Sequence, residues 1–238
     1  MKRMLSFSGG KNSTVMLDIL LNEGVELDYI VFADTQVEYP EMYNYLNFIE
    51  QHYDIEIIRT TPNIDFFSWF FKPISRGKFK GRMHGFPYVL TPCWYQREAK
   101  HTPLRPYNLK SDIIYIGYAS DETNRNITDP YIKDKCRYPL KERGIKDKEC
   151  LDYLKRRNIL NPLYERFNRL GCWLCPKQSK SDLRCLKSCY PNHWSILERL
   201  EKLSPHGFKH NLKLSEIVAL PEYHPEQKTL CGYMEAGQ

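Results

Sequence analysis

MKRMLSFSGGKNST, residues 1–14, decides how this chain is read. Lys2–Ser6 is expected to form a short strand, and Asn12–Glu23 an amphipathic helix. Between them Ser8-Gly9-Gly10-Lys11-Asn12-Ser13-Thr14 makes a glycine turn that carries hydroxyls and a lysine. Glycines let the backbone approach a ligand closely. The helix start that follows offers unpaired N–H groups and a partial positive charge. Such a turn is an anion site, and phosphate is its usual anion. It is not a Walker A loop, which needs four residues between its first glycine and Gly-Lys-Ser/Thr. The competing description is an ordinary strand-to-helix turn.

Working outward, the 238 residues suffice for one sizeable domain, or a domain with an appendage. A hydrophobic share of 42% and a charged share of 27% are those of a globular protein. No apolar run approaches the roughly 20 residues of a membrane span, and the N-terminus is not patterned as a signal peptide. A cytoplasmic location with no membrane partner is therefore expected. Eight cysteines are then thiols or metal ligands rather than a disulfide framework. The net charge of +6 suits a nucleotide or nucleic-acid partner without establishing one.

Leu27–Phe32, Ile55–Arg59 and Ile113–Gly117 are short apolar runs expected as strands. A helix opened by Pro40 carries Met42, Tyr45, Leu46 and Ile49 on one face. This alternation predicts an α/β fold, a Rossmann-like parallel sheet with helices on both faces and ligands at the carboxyl ends of its strands. Ser6, Ser8–Thr14, Phe32-Ala33-Asp34-Thr35 and Gly117 all fall at such ends. Arg76–Arg82 interleaves basic residues with Phe79, which suits a lid, a nucleic-acid contact or a solvated loop. A helix from Cys93 is expected to end at Pro103, with Asp147–Arg157 as a further amphipathic helix. Helices over Ser179–Ser188 and Asn192–Leu203 follow, then an irregular tail from Pro205. The domains are drawn at 1–165 and 166–238, the second a small helical region packed on the first. Cys172-Trp173-Leu174-Cys175 is the strongest metal signal, because two thiolates three positions apart can face one ion across a tight loop. Two buried thiols that merely pack a loop are the alternative.

Several stretches carry a family resemblance. The Ser8–Ser13 turn resembles the SGGxDS PP-loop of the ATP pyrophosphatase superfamily, with Asn12 where that motif has Asp. Phe32–Glu41 is similar to the FxDTGxxFPET stretch of the phosphoadenosine-phosphosulfate (PAPS) reductase family. Lys100–Leu104 resembles its KxxPL element and Gly117–Arg125 its GxRxxES…R element. Arg137–Leu140, Pro162–Tyr164 and Gly171–Pro176 resemble the closing segment of PAPS reductase-like proteins often carried by phages and mobile elements.

The resemblance implies an adenosine nucleotide, ATP or PAPS, with Mg2+. Phosphates would lie on Ser8, Gly9, Gly10, Lys11, Asn12, Ser13 and Thr14, with the adenosine near Phe32–Thr35. Lys11, Lys100, Arg125 and Arg137 are the catalytic candidates. It also implies Cys93 as third ligand to Cys172 and Cys175, for a [4Fe-4S] cluster or, alternatively, Zn2+. Cys185 and Cys189 are available to complete either site. Three functions follow: ATP-dependent adenylation with pyrophosphate release, coupled to sulfur transfer to a nucleic acid or small molecule; PAPS or APS reduction; and a non-catalytic nucleotide-binding subunit of a modification or defence complex. A reductase needs a reactive C-terminal thiol, for which Cys231 is the candidate. The first function implies a sulfur donor or partner protein.

Overall fold

The structure, a computed structural model, describes residues 1–218. In chain order the main elements begin β1 (Arg3–Phe7), α1 (Lys11–Asn22), β2 (Tyr29–Ala33), α2 (Pro40–Tyr53), β3 (Ile58–Thr60) and α3 (Phe66–Phe71). Then come α4 (Trp94–Gln96), a π-helical turn (Arg97–His101), α5 (Thr102–Lys110), β4 (Ile113–Ile116), β5 (Cys136–Arg137), α6 (Pro139–Glu142) and α7 (Asp147–Arg157). Helices α8 (Lys180–Cys189), α9 (Pro191–Leu203) and α10 (Leu214–Val218) close the series. The chain forms two compact units. The first comprises Met1–Asp65 with Tyr95–Pro162, and the second Phe66–Trp94 with the described residues from Leu163 onward.

The first unit is built on a parallel five-stranded sheet in the order β3-β2-β1-β4-β5. Met4, Leu5 and Phe7 on β1 and Ile30–Phe32 on β2 are buried, as befits strands covered on both faces. The chain leaves β1 toward β3, then returns to the other side of β1 at β4. That reversal puts the topological switch point, where open α/β sheets bind ligands, beside the carboxyl end of β1. The expected apolar face of α2 is buried through Met42, Tyr45, Leu46 and Ile49.

One polar knot orients α1. Asp18 has no exposed surface, and its carboxylate accepts from Tyr53 Oη on α2 at 2.6 Å, from Tyr153 Oη and from Arg157 Nη2 on α7 at 2.9 Å. Burial pushes its carboxyl pKa up, but these three donors outweigh it and hold the group below its ordinary value. The axis of α1 is thereby tied to both neighbouring helices.

Two sequence expectations change here. The helix expected to stop at Pro103 continues to Lys110. Thr102 N–H bonds back to Arg97 O, five residues earlier, so the widened turn precedes the proline. Pro103 then sits in the first turn of α5, where its missing N–H costs nothing. The second concerns the boundary near residue 165: Phe66–Trp94 belongs with the C-terminal unit. Phe86 packs edge-on against Phe208 at 4.8 Å and Phe70 at 5.1 Å, while Phe66 stacks on Trp94 at 5.7 Å.

Among the described residues the second unit also holds the helices α8, α9 and α10. Ser179 caps α8, its hydroxyl accepting from Asp182 N while the Asp182 carboxylate accepts from Ser179 N. Helix α9 buries Trp194, Leu197 and Leu200. Beyond Pro205 the chain is not an irregular tail throughout: Phe208, Leu214 and Ile217 are buried, and Glu201 accepts from Leu214 N at 3.0 Å.

Candidate functional site: the Ser8–Ser13 turn

Gly9 opens the turn in the left-handed region, at φ +66°, and a Cβ there would lie 2.4 Å from Met42 Sδ. Its carbonyl accepts from Asn161 Nδ2 at 3.0 Å. Ser13 locks the loop from inside: its hydroxyl donates to Gly10 O at 2.9 Å, accepts from Ser8 N at 3.2 Å and lies 2.9 Å from Ser8 Oγ. Gly10 precedes α1 in an extended conformation, with no side-chain cap and no acid in the first turn. The positive end of α1 is left open to an anion. Lys11 Nζ stands there, ion-paired to Asp147 at 2.8 Å.

Thr14 does not join the loop ligands. It is fully buried, with its hydroxyl bonded to Gly10 O at 3.1 Å and accepting from Tyr45 Oη at 3.2 Å. One helical turn past Gly10, its side chain points into the core.

Beside the turn, Gly117 ends β4 so closely that a Cβ would meet the backbone of Asn12 and Ser13 at 3.0 Å. Glu122 then reaches Asn12: Asn12 Nδ2 donates to Glu122 Oε2 at 3.4 Å, and Ala119 N donates to the same oxygen at 3.0 Å. Arg125 pairs with Glu122 at 2.5 Å and lies over the Tyr118 ring at 4.3 Å. Asn12 Oδ1 is buried with no hydrogen-bond partner among the described residues. An orphaned acceptor at an uncapped helix start, next to a carboxylate, fits a ligand bearing a donor group or a hard cation.

At the end of β2, Asp34 accepts from Gln36 N at 2.7 Å and Tyr43 Oη at 2.9 Å, and Thr35 Oγ1 donates to Glu38 at 2.8 Å. Phe32 and Ala33 are buried in the strand, and Ser6 is half-buried in β1. Glu38 is 7% exposed; burial pushes its carboxyl pKa up, opposed by the Lys100 charge and the Thr35 hydroxyl. Lys100, on the π turn, thus stands at the β2 end, and Arg125 at the β4 end. Arg137 is exposed, and its Nη1 donates to Asp134 O and Cys136 O within its own segment rather than toward the turn.

Sequence reasoning missed Asn161, Asp147 and Glu122. Their signals were weak: Asn161 precedes the Pro162-Leu163-Tyr164 element, Asp147 opens a helix, and Glu122 is one of several polar residues that follow a strand at the ligand-binding edge, with nothing to single it out.

A family model described as the phosphoadenosine phosphosulfate reductase domain matches residues 2–178, from β1 through the CxxC turn. The chain belongs to that family. Two curated relatives are uncharacterized Methanocaldococcus jannaschii proteins. MJ0066 is 28% identical over 88% of this chain and 43% of its own length; MJ0973 is 23% identical over 97% and 54%. The chain therefore spans about half the length of the curated relatives it matches. A crystal structure of the PAPS reductase from Candida auris, a phosphate complex, matches with a TM-score of 0.52 at 13% identity, covering 73% of this chain and 82% of that one. That likeness shows the PAPS reductase-like fold.

In this PAPS reductase-family chain the seven cysteines among the described residues are free thiols. Cys172–Cys175 is a tight turn, Cys175 N bonding Cys172 O at 3.1 Å. Gln178 Nε2 pins it through Trp173 O and Cys175 O. Cys185 and Cys189 bring their sulfurs within 3.8 Å on α8, where burial and the second sulfur push the Cys185 thiol up to about 12. Among the described residues no group of three or more His, Cys, Asp or Glu that could hold a metal ion is found. Cys150 is core, as expected, and burial pushes its thiol up to about 12. Cys231 lies outside the described residues. Among the described residues no helix is long and apolar enough to cross a membrane.

Proposed function

We propose that the chain binds an adenine nucleotide with its phosphates on the Ser8–Ser13 turn. With ATP and Mg2+ it adenylates an acceptor, releasing pyrophosphate as the activating half of a sulfur transfer. The observation that carries this is the open N-terminus of α1: uncapped, free of acids, held by Gly9 and Ser13, and supplied with the Lys11 charge. An acceptor atom bonds the α-phosphorus as the α–β bridging P–O bond breaks, and pyrophosphate leaves with that electron pair. Lys11 and the first-turn N–H groups stabilise charge on the phosphates. Asn12 Oδ1 and the Glu122 carboxylate are the oxygen donors that would hold Mg2+. Lys100 and Arg125 hold the anionic end of the substrate. Glu122 beside Asn12 also favours a catalytic reading over a degenerate binding module, because it returns a carboxylate to the place where the loop has an amide.

The test is pyrophosphate release from Mg-ATP, with and without total RNA, by wild type, Glu122→Gln and Asn12→Asp. Wild-type turnover that falls about tenfold or more in Glu122→Gln is expected, in line with losing a charged ligand. Asn12→Asp should also be slower, since a second carboxylate would face Glu122. A silent wild type that Asn12→Asp switches on would contradict the proposal and favour the non-catalytic module.

A further inference from the structure

The run Phe66–Trp94 contains five Lys or Arg residues and no Asp or Glu, so it carries +5 of the chain's net +6. Its middle is an ordered hairpin. His84 N bonds Lys72 O at 3.1 Å, Ile74 N bonds Arg82 O at 2.7 Å and Gly81 N bonds Ile74 O at 2.8 Å, with an antiparallel bridge between Pro73 and Met83. The tip turns through Gly77 and Gly81, both at positive φ with open space around them. Lys72, Arg76, Lys78, Lys80 and Arg82 are all exposed, and none forms an ion pair among the described residues. Phe79 is 51% exposed between Lys78 and Lys80, and Arg82 lies over its ring at 5.5 Å. Phe71, at the hairpin base, is 49% exposed, and Lys72 lies 4.1 Å from the Trp69 ring centroid.

We infer that this hairpin is a docking surface for single-stranded nucleic acid. Five uncompensated cations on one short hairpin call for a polyanion. A polyanion alone gives no use for an exposed ring at the tip, whereas unpaired bases stack on such a ring while the cations hold the phosphates. A solvated loop would gain nothing from two exposed phenylalanines. The inference names the acceptor class for the adenylation proposed above and rests on that proposal for the chemistry after binding. The binding itself is read from the hairpin alone.

The test is fluorescence anisotropy on the full chain. The probes are a labelled 20-nucleotide single-stranded RNA, the DNA of the same sequence, their duplexes, polyphosphate, and vesicles containing phosphatidylserine. Single strands should bind more tightly than duplex, polyphosphate or vesicles, and the tighter of RNA and DNA identifies the natural source. Phe79→Ala should weaken single-strand binding about tenfold, with Phe79→Trp restoring it, since stacking on one base is worth roughly that much. Lys78→Ala with Lys80→Ala should lower the slope of log affinity against log salt by about 1.4, at roughly 0.7 per lost phosphate contact. ATP affinity should not change in these variants, while Lys11→Ala should keep single-strand binding, so failure of this inference and failure of the nucleotide site are separable. Unchanged single-strand binding in Phe79→Ala, or preference for polyphosphate or vesicles, would overturn the inference.

Discussion

Asp18→Ala is expected to destabilise the chain by about 1.5–3 kcal/mol, the range for losing hydrogen bonds to a charged group. The carboxylate is fully buried and accepts from two tyrosine hydroxyls and a guanidinium on two different helices. Alanine takes the acceptor from the half-buried Tyr53 and Tyr153 hydroxyls, returns the exposed Arg157 to solvent and unties α1 from α2 and α7. Urea unfolding should show a lower midpoint at an unchanged slope. Asp18→Asn, which keeps the volume and one acceptor, should cost less. The pH dependence has a definite sign. The folded pKa lies below the ordinary 3.8, so the stabilisation is complete above the unfolded pKa and disappears as pH falls through the folded one. The stability gap between wild type and Asp18→Asn should therefore be full above about pH 5 and close as acid is added. A gap that does not depend on pH, or an alanine variant as stable as wild type, would show that the knot contributes little.

Gly9→Ala is the second large effect. The left-handed backbone costs an L-residue about 1–2 kcal/mol, and forcing a methyl into filled space about 1–3 more, so roughly 2–5 kcal/mol in all. The added carbon would sit 2.4 Å from Met42 Sδ, and relief requires either that side chain or the loop to move. Movement of the loop would also strain the bond from Asn161 to the Gly9 carbonyl and displace the open end of α1. Reduced stability together with weakened nucleotide binding is expected. Measured against Met42→Ala alone, which carries its own cavity cost, adding Gly9→Ala should recover the part of the stability lost to contact but none of that lost to the backbone, a split that calorimetric melting can measure. Full recovery would show that the turn conformation is not strained for alanine.

The central strands β1, β2 and β4 were legible because they are short, largely apolar and followed at once by polar turns, which is how covered strands look in sequence. The faces of α2 and α7 were legible for the same reason, through Met42, Tyr45, Leu46 and Ile49 on one and Cys150 and Leu154 on the other. Other features leave no local trace. Asp18 looks like any polar helix position until Tyr53, Tyr153 and Arg157 meet it from distant segments. The aromatic run at Phe66–Phe71 announces burial, but not that Phe86 and Trp94 are among its partners. Pro103 reads as a helix stop unless a π turn precedes it, and nothing in the residue types announces one. Thr14 carries a hydroxyl next to the loop motif, yet helical geometry turns it into the core. Glu122 escaped attention because its importance depends on reaching Asn12, 110 positions away.

Calorimetric titration of Mg-ATP and of PAPS into wild type and Lys11→Ala tests the nucleotide site most directly. Asp147, left without Lys11, stays at the start of α7, where a negative charge is favourable, so the variant should fold normally. Removing the ammonium forfeits a charge-assisted bond of about 1.5–3 kcal/mol, so affinity should fall about tenfold or more for whichever nucleotide the wild type binds. A folded Lys11→Ala variant that binds ATP and PAPS as the wild type does would contradict the account.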